Sequence, residues 1–496
     1  MDAYLELLSK QKDIETIGQI SGLLGWDQEV MMPPKAAPLR AEQLAWLSKT
    51  RHGMMTNPQM GDLLSSAEAE DDGTNPTRSG NLRLIRDAYD KATKQPTDFV
   101  ERLARHKSKS IVSWTEARAK NDFSIFRDDL ATMVDLAREL ADHLGYETLR
   151  YDALLDLYES GLTVARLDPL FAGLRESSVP LIQRVNVDDG AHDWVYRHEW
   201  SKEGQENLSQ ALSEAVGFDF GAGRRDESTH PFCGGANPDD VRWTTRYDSR
   251  EPWGAIFGTL HETGHALYEQ GLPSKWSHQP LGFAGGMSLH ESQSLFIEMQ
   301  IVKSRHLSNF IYKTLVNKLN KNSKLWSSEE IYKIRNLVKK NFIRVDSDEV
   351  HYPLHIIHRF NIEYKIIEES ENIENLPDLW NQEFLKIMNL EITDDSNGCL
   401  QDIHWYGGDF GYFPTYSIGA FIAAQLAAKI RKEMSNYDTL LEDGNLKGII
   451  KWLKSNIHSH GSIHKINPLL ELTTGEALNL KYFENHITDR YINNLV

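Results

Sequence analysis

His261-Glu262-Thr263-Gly264-His265 sets two imidazoles four residues apart with a carboxylate beside the first. On a helix, positions i and i+4 share a face, so both histidines can reach one metal ion. Glu262 lies one step round the helix, where it can touch a water at the metal without ligating it. Such a set performs hydrolysis, with the metal as Lewis acid and the glutamate as general base. Upstream, Trp253, Ile256, Phe257 and Leu260 form the i, i+3, i+4, i+7 stripe of a buried helix, and Gly271 and Pro273 supply its stop. Buried polar groups without partners are costly, so a buried stripe running through this motif favours a metal over incidental surface polarity.

A catalytic zinc site takes three protein ligands and leaves a position for water. Met287 to Glu298, after the loop Gly282 to Gly286, reads as a second helix long enough to return beside the first. Glu291 on that helix would complete a His2Glu set, with His290 and Glu298 as rivals for the role.

Most of the chain has helical period, for example Tyr4 to Gly22, Leu39 to Ser48, Phe99 to Ala119, Phe126 to His143, Ile331 to Asn341 and Tyr416 to Met434. The breaks are Met32-Pro33-Pro34, Glu70 to Asn81, Val185 to Gly190, and Gly271 to Gly286. Asp240 to Tyr247, rich in β-branched and aromatic residues, is the main stretch with strand character. Just before the metal helix, it is placed to act as a rail for an extended peptide. No internal repeat or interdomain linker stands out, so residues 1–496 read as one unit.

Bulk properties narrow the class. Across 496 residues, 54 basic side chains stand against 72 acidic ones, a formal charge of −18, which argues against nucleic acid or an anionic membrane as partner. No apolar run approaches the length of a membrane span. Two cysteines, Cys233 and Cys399, cannot build a disulfide framework and suit a reducing, cytoplasmic setting. From about residue 301 onward Lys, Asn and Ile become commoner.

His261-Glu262-Thr263-Gly264-His265, His290-Glu291-Ser292-Gln293, Asp240-Val241-Arg242-Trp243-Thr244, Ile343-Arg344-Val345-Asp346-Ser347-Asp348 and Gly398-Cys399-Leu400-Gln401-Asp402-Ile403-His404-Trp405 together resemble the motifs of the thermostable carboxypeptidase (carboxypeptidase Taq) family. The likeness runs from Leu24-Gly25-Trp26-Asp27-Gln28-Glu29 to Phe410-Gly411-Tyr412-Phe413-Pro414-Thr415-Tyr416. Asp346-Ser347, where the family usually has glutamate and alanine, and Leu295-Phe296-Ile297 depart from it. The resemblance implies a mainly α, two-lobed, neurolysin-like peptidase with a small sheet beside a deep groove. It also implies a metal held by His261, His265 and Glu291, and a homodimer. Zinc is the metal the site suits, and its ligands do not exclude cobalt.

By analogy with angiotensin-converting-type peptidases of the same fold, Tyr416 donates to the oxyanion and His404 binds the substrate backbone. Arg344 is the first choice for the substrate carboxylate and Arg242 the second, because a guanidinium grips a carboxylate with two parallel hydrogen bonds. An ion pair of Arg344 with Asp346 or Asp348 is the alternative. His351, His355 and His358 read as core or groove residues; His230-Pro231-Phe232 resembles a family element of unknown role. The expected activity is release of single C-terminal residues from peptides with broad specificity, proline being disfavoured. The alternatives are a dipeptidyl carboxypeptidase or oligoendopeptidase on the same scaffold, or a catalytically silent peptide-binding relative.

Overall fold

The computed structural model describes residues 2–185, 199–228, 231–250, 252–319 and 327–493. Helices dominate, and six of them frame the groove: α1 (Ala3–Val30), α2 (Lys202–Val216), α3 (Pro252–Gly271), α4 (Met287–Leu295), α5 (Tyr352–Ile367) and α6 (Pro414–Glu433). Three strands, β1 (Gly223–Glu227), β2 (Cys233–Asn237) and β3 (Asp240–Thr245), form one sheet in the order β1-β3-β2. β1 runs parallel to β3 and β2 antiparallel to it.

Two hydrophobic cores correspond to two lobes. The smaller one joins Leu7 and Ile14 of α1 to Met60, Leu64, Ala67, Leu82 and Ile85 of two following helices. The larger runs from Trp114 to Ile487 and contains α2 to α6. The N-terminal lobe meets the larger one where α1 lies across β2; a Cβ on Gly22 would stand 3.1 Å from the Gly235 carbonyl. A cleft of 360 Å³ opens there between Gly22, Gly25 and Trp26 on one side and Phe232 to Gly235 on the other. Asn81 also ties the lobes, its amide donating to Gln279 Oε1 at 2.6 Å.

Several sequence-based boundaries move. β3, the expected rail, is the central strand with both edges paired, so the edge turned toward the α1 cleft belongs to β2. The loop expected over Glu70 to Asn81 is shorter, because Asn75 caps a helix that opens with Pro76. The helix expected over Ile331 to Asn341 stops at Arg335, where the Asn336 amide turns back to the carbonyls of Lys303 and Tyr332. Beyond Leu295 the chain widens into a π-helical segment, Phe296–Val302, at the departure from the family pattern. The compositional change near residue 301 falls inside this segment, where Ile301 and Val302 are fully buried in the larger core. Of the break expected over Val185 to Gly190, all but Val185 lies outside the described residues, as does His230.

α4 is the pivot of the assembly, squeezed between α3 and α6 through two glycines. A Cβ on Gly264 of α3 would lie 2.6 Å from the Gln293 carbonyl oxygen and the Ser294 Cα. One on Gly419 of α6 would lie 2.9 Å from the Cβ of Glu291. The opposite side of α3 is locked to α2 by hydroxyl pairs one turn apart, Ser209 with Thr259 and Ser213 with Thr263, each at 3.0 Å. Gly264→Ala and Gly419→Ala are each expected to cost about 1–3 kcal/mol by overpacking, read as a lower denaturation midpoint. Substitution of the exposed Gly475, whose Cβ would meet no atom within 4 Å but whose φ is +95°, should act through backbone strain instead and leave metal content unchanged.

Candidate metal centre

His261 and His265 project from one face of α3 toward Glu291 on α4. Glu291 Oε2 lies 3.4 Å from His265 Nε2 and 3.9 Å from His261 Nε2, and the three donor atoms fall within 4.8 Å of one another. Tetrahedral zinc with bonds near 2.0–2.1 Å has ligand atoms about 3.3 Å apart, so the two histidine–glutamate spacings are close to those of a tripod. Among the described residues this is the only group of three or more such donors within that reach.

The ring nitrogens turned away from the tripod are all engaged. His261 Nδ1 meets Glu298 Oε2 at 2.9 Å. His265 Nδ1 meets His290 Nδ1 at 2.6 Å, and His290 Nε2 meets Glu269 Oε1 at 2.8 Å. A carboxylate only accepts, so His290 Nε2–H donates to Glu269 and neutral His290 accepts at Nδ1 from His265. In its neutral form each α3 histidine would thereby carry its proton on Nδ1 and turn the Nε2 lone pair to the tripod, and for His261 that form requires loss of a proton. His290 and Glu298, which the sequence offers as rival ligands, stand behind the tripod as partners of the two histidines. The π-helical segment carries Glu298 to His261.

The field is that of a cation site. Burial pulls His261 down, but Glu291, Glu298 and Glu262 outweigh it and raise the imidazole to about 10. Burial holds His265 down to about 4. Glu262 is buried, which lifts its carboxyl to about 7 against the pull of His261. Cys233 on β2 is close enough that Glu262 and Glu269, after burial, raise its thiol further.

A second constellation gathers from the turn Arg344–Asp346, from α5 and α6, and from the segment between those helices. Arg344 is buried; its Nε donates to Asp402 Oδ1 at 2.9 Å and Nη1 to Tyr352 Oη at 2.8 Å. Its ion-pair partner is therefore Asp402, not Asp346 or Asp348. Asp402 also accepts from Arg359 Nε at 2.7 Å, and this pair of arginines holds its carboxyl well below the usual range despite burial. Arg344 Nη2 has no acceptor among the described residues, and the guanidinium carbon stands 4.9 Å from the Tyr416 ring centre. His404 Nε2 meets Tyr416 Oη at 3.1 Å. Burial and Arg344 hold His404 down to about 3, so the imidazole is neutral. Arg242 is set apart from this constellation: both arms of its guanidinium close on Asp240, at 2.7 and 2.9 Å. His351, His355 and His358 are buried, His351 on Asp348 and His358 on the Trp380 carbonyl.

Comparison with known proteins gives the family. The model of the carboxypeptidase Taq (M32) metallopeptidase family matches residues 6–491. The chain belongs to the M32 carboxypeptidase family. Carboxypeptidase 1 of Bacillus subtilis is 36% identical over 490 residues, with 98% of each chain covered. Thermostable carboxypeptidase 1 of Pyrococcus furiosus is 34% identical, again over 98% of each. A solved structure of the Pyrococcus furiosus carboxypeptidase superposes with a TM-score of 0.95 at 32% identity over 99% of both chains. Trypanosoma cruzi metallocarboxypeptidase 1 gives 0.93 at 34% over 99% of both. M32 membership makes this chain a metallocarboxypeptidase, a peptide hydrolase that uses a divalent metal. No helix among the described residues is long and apolar enough to cross a membrane.

Two outcomes test the site. Ligand imidazoles must be deprotonated to bind, and His261 keeps its proton up to about pH 10. Metal uptake at pH 8 should release a proton from it, and affinity should rise about tenfold per pH unit below that value, read by calorimetry in buffers of different ionisation enthalpy. His290→Ala should weaken metal affinity by about 10- to 100-fold in a chelator competition, since it removes the group that orients His265.

Proposed function

We propose that this M32 member is a zinc-dependent carboxypeptidase that releases single C-terminal residues from peptides with broad specificity, C-terminal proline being disfavoured. His261, His265 and Glu291 are the metal ligands in this reading, and residues 1–496 act as one peptidase unit. The observation that carries it is the convergence of those three donors within 4.8 Å, with buried Glu262 one residue along from His261. When bound, the zinc ion would supply a Lewis acid for the scissile carbonyl and for water; cobalt would serve the same ligands.

The residues do the rest. Glu262, with its carboxyl lifted to about 7 by burial, is matched to take a proton from the attacking water near neutral pH and pass it to the leaving amine. Neutral His404 donates from Nε2–H to Tyr416 Oη, which leaves the phenolic proton of Tyr416 free for the developing oxyanion. His404 thus acts on the substrate backbone through Tyr416. Arg344 takes the terminal carboxylate with its unused Nη2, while Asp402 and Tyr352 fix the rest of its fork. The peptide runs extended along the free edge of β2 under α1, with Arg242, locked to Asp240, as part of the wall. The two free cysteines suit a cytoplasmic setting, and the family resemblance supports a homodimer.

Glu262→Gln should retain the metal yet lower kcat by at least about a thousandfold; undiminished turnover would remove Glu262 from the mechanism. Arg344→Ala should raise KM for peptides with a free C-terminus, while C-terminally amidated peptides remain poor substrates for both forms. Wild-type cleavage of amidated and free peptides at equal rates would rule out the exopeptidase register.

A further inference from the structure

Three polar side chains of α5 hold neighbouring segments in place. Tyr352 accepts from Arg344, and Arg359 donates to Asp402. The third, Glu363, lies one turn beyond Arg359, fully buried, and pairs with no cation among the described residues. Its partners are three neutral donors. Oε1 accepts from Trp405 Nε1 at 2.8 Å; Oε2 accepts from the Gly411 amide at 2.9 Å and from the Tyr151 hydroxyl. Burial lifts its carboxyl to about 7, a cost that an apolar side chain at this place would spare. In return the carboxylate supplies two acceptor oxygens at fixed points, each engaged from outside α5.

Those two points are the ends of one segment. Trp405 follows His404 directly, and Gly411 precedes the first turn of α6, which carries Tyr416. Gly411 has φ +90°, and a Cβ there would lie 2.8 Å from the Leu154 carbonyl carbon. The chain at Gly411 therefore packs directly on the short helix Arg150–Leu155, which also bears Tyr151. Within the segment the Asp409 amide closes on the His404 carbonyl at 2.9 Å. Beyond it, the Phe413 ring lies 4.4 Å from that of His404. The 3.1 Å contact of His404 Nε2 with Tyr416 Oη spans this segment from one end to the other.

We propose that Glu363 is a positioning residue for peptide hydrolysis: by holding Trp405 and Gly411 it sets His404 against Tyr416 and so aims the Tyr416 phenol. The inference rests on the reading of Tyr416 as oxyanion donor. Glu363 acts only through the segment it holds, so its loss falls on the aim of that phenol as charge develops, and therefore on kcat.

The test is a double-mutant cycle of Glu363→Gln and Tyr416→Phe on a free-carboxylate peptide, reading kcat, KM, metal content and thermal midpoint. Glutamine keeps the shape but trades one acceptor oxygen for an NH2 group, which fails either Trp405 or the Gly411–Tyr151 pair. A displacement of about 1 Å in a positioned group costs about a hundredfold in rate, so Glu363→Gln should lower kcat by about ten- to a hundredfold with KM and metal content unchanged. In the Tyr416→Phe background the same change should lower kcat no further, a result that general loosening of the fold would not give. An unchanged kcat in Glu363→Gln, or an equal loss in both backgrounds, overturns the proposal. Tyr416→Phe alone isolates the underlying reading: an unchanged kcat there defeats that reading and this inference with it. Should Glu363→Gln fail to fold, Trp405→Phe removes one donor in its place and faces the same two criteria.

Discussion

Glu291 is where the molecule's packing becomes chemistry. The helix that bears it is held between two neighbours, each of which approaches through a glycine: Gly264 inside the His-Glu-x-x-His motif itself and Gly419 on α6. A methyl group at either place would drive into the α4 backbone or into Glu291. This close approach sets the 3.4 Å separation of Glu291 from His265. Because protein interiors are close-packed, that separation cannot drift without repacking two other helices. Everything further out positions these three helices: the Ser–Thr pairs behind α3 and the buried contacts of the larger core around α6.

The charges divide the groove. Around His261 and His265 stand Glu262, Glu269, Glu291 and Glu298, an excess of negative charge that raises His261 and that a divalent cation would answer. Around Arg344 stand Arg359 and three phenols, with Asp402 shared between the two arginines. Under the proposed function a peptide with a free carboxylate would match that polarity with its carboxylate toward Arg344 and its reacting carbonyl toward the tripod. Orientation by charge of this kind works at low side-chain selectivity, which suits broad specificity.

How far the sequence could be read depended on range. Local period placed α3 and α6, and the His-Glu-x-x-His spacing placed two donors, because i and i+4 are fixed by helix geometry alone. The third donor was different: spacing left Glu291, His290 and Glu298 as rivals, and only family resemblance chose among them. In the structure all three lie at the site, and what separates them is which ring nitrogen each one faces, which no spacing rule encodes. The rail was misplaced for a similar reason. β3 has the strongest strand composition because both its edges are paired, while the free edge falls to glycine-rich Cys233-Gly234-Gly235, which shows little strand propensity. Asn75-Pro76 was a legible helix start read as loop. Arg344 pairs with neither Asp346 nor Asp348, the partners its local sequence offered, but with Asp402, which lies beyond any local pattern.

Register of cleavage separates a carboxypeptidase from its relatives on the same scaffold. A mass-spectrometric time course on an unstructured peptide with a free C-terminus, with and without chelator, measures it directly. A zinc carboxypeptidase gives a ladder of products shortened one residue at a time from the C-terminus, abolished by chelator and restored by zinc. Cuts two residues from the end, internal cuts, or a ladder indifferent to chelator would contradict it.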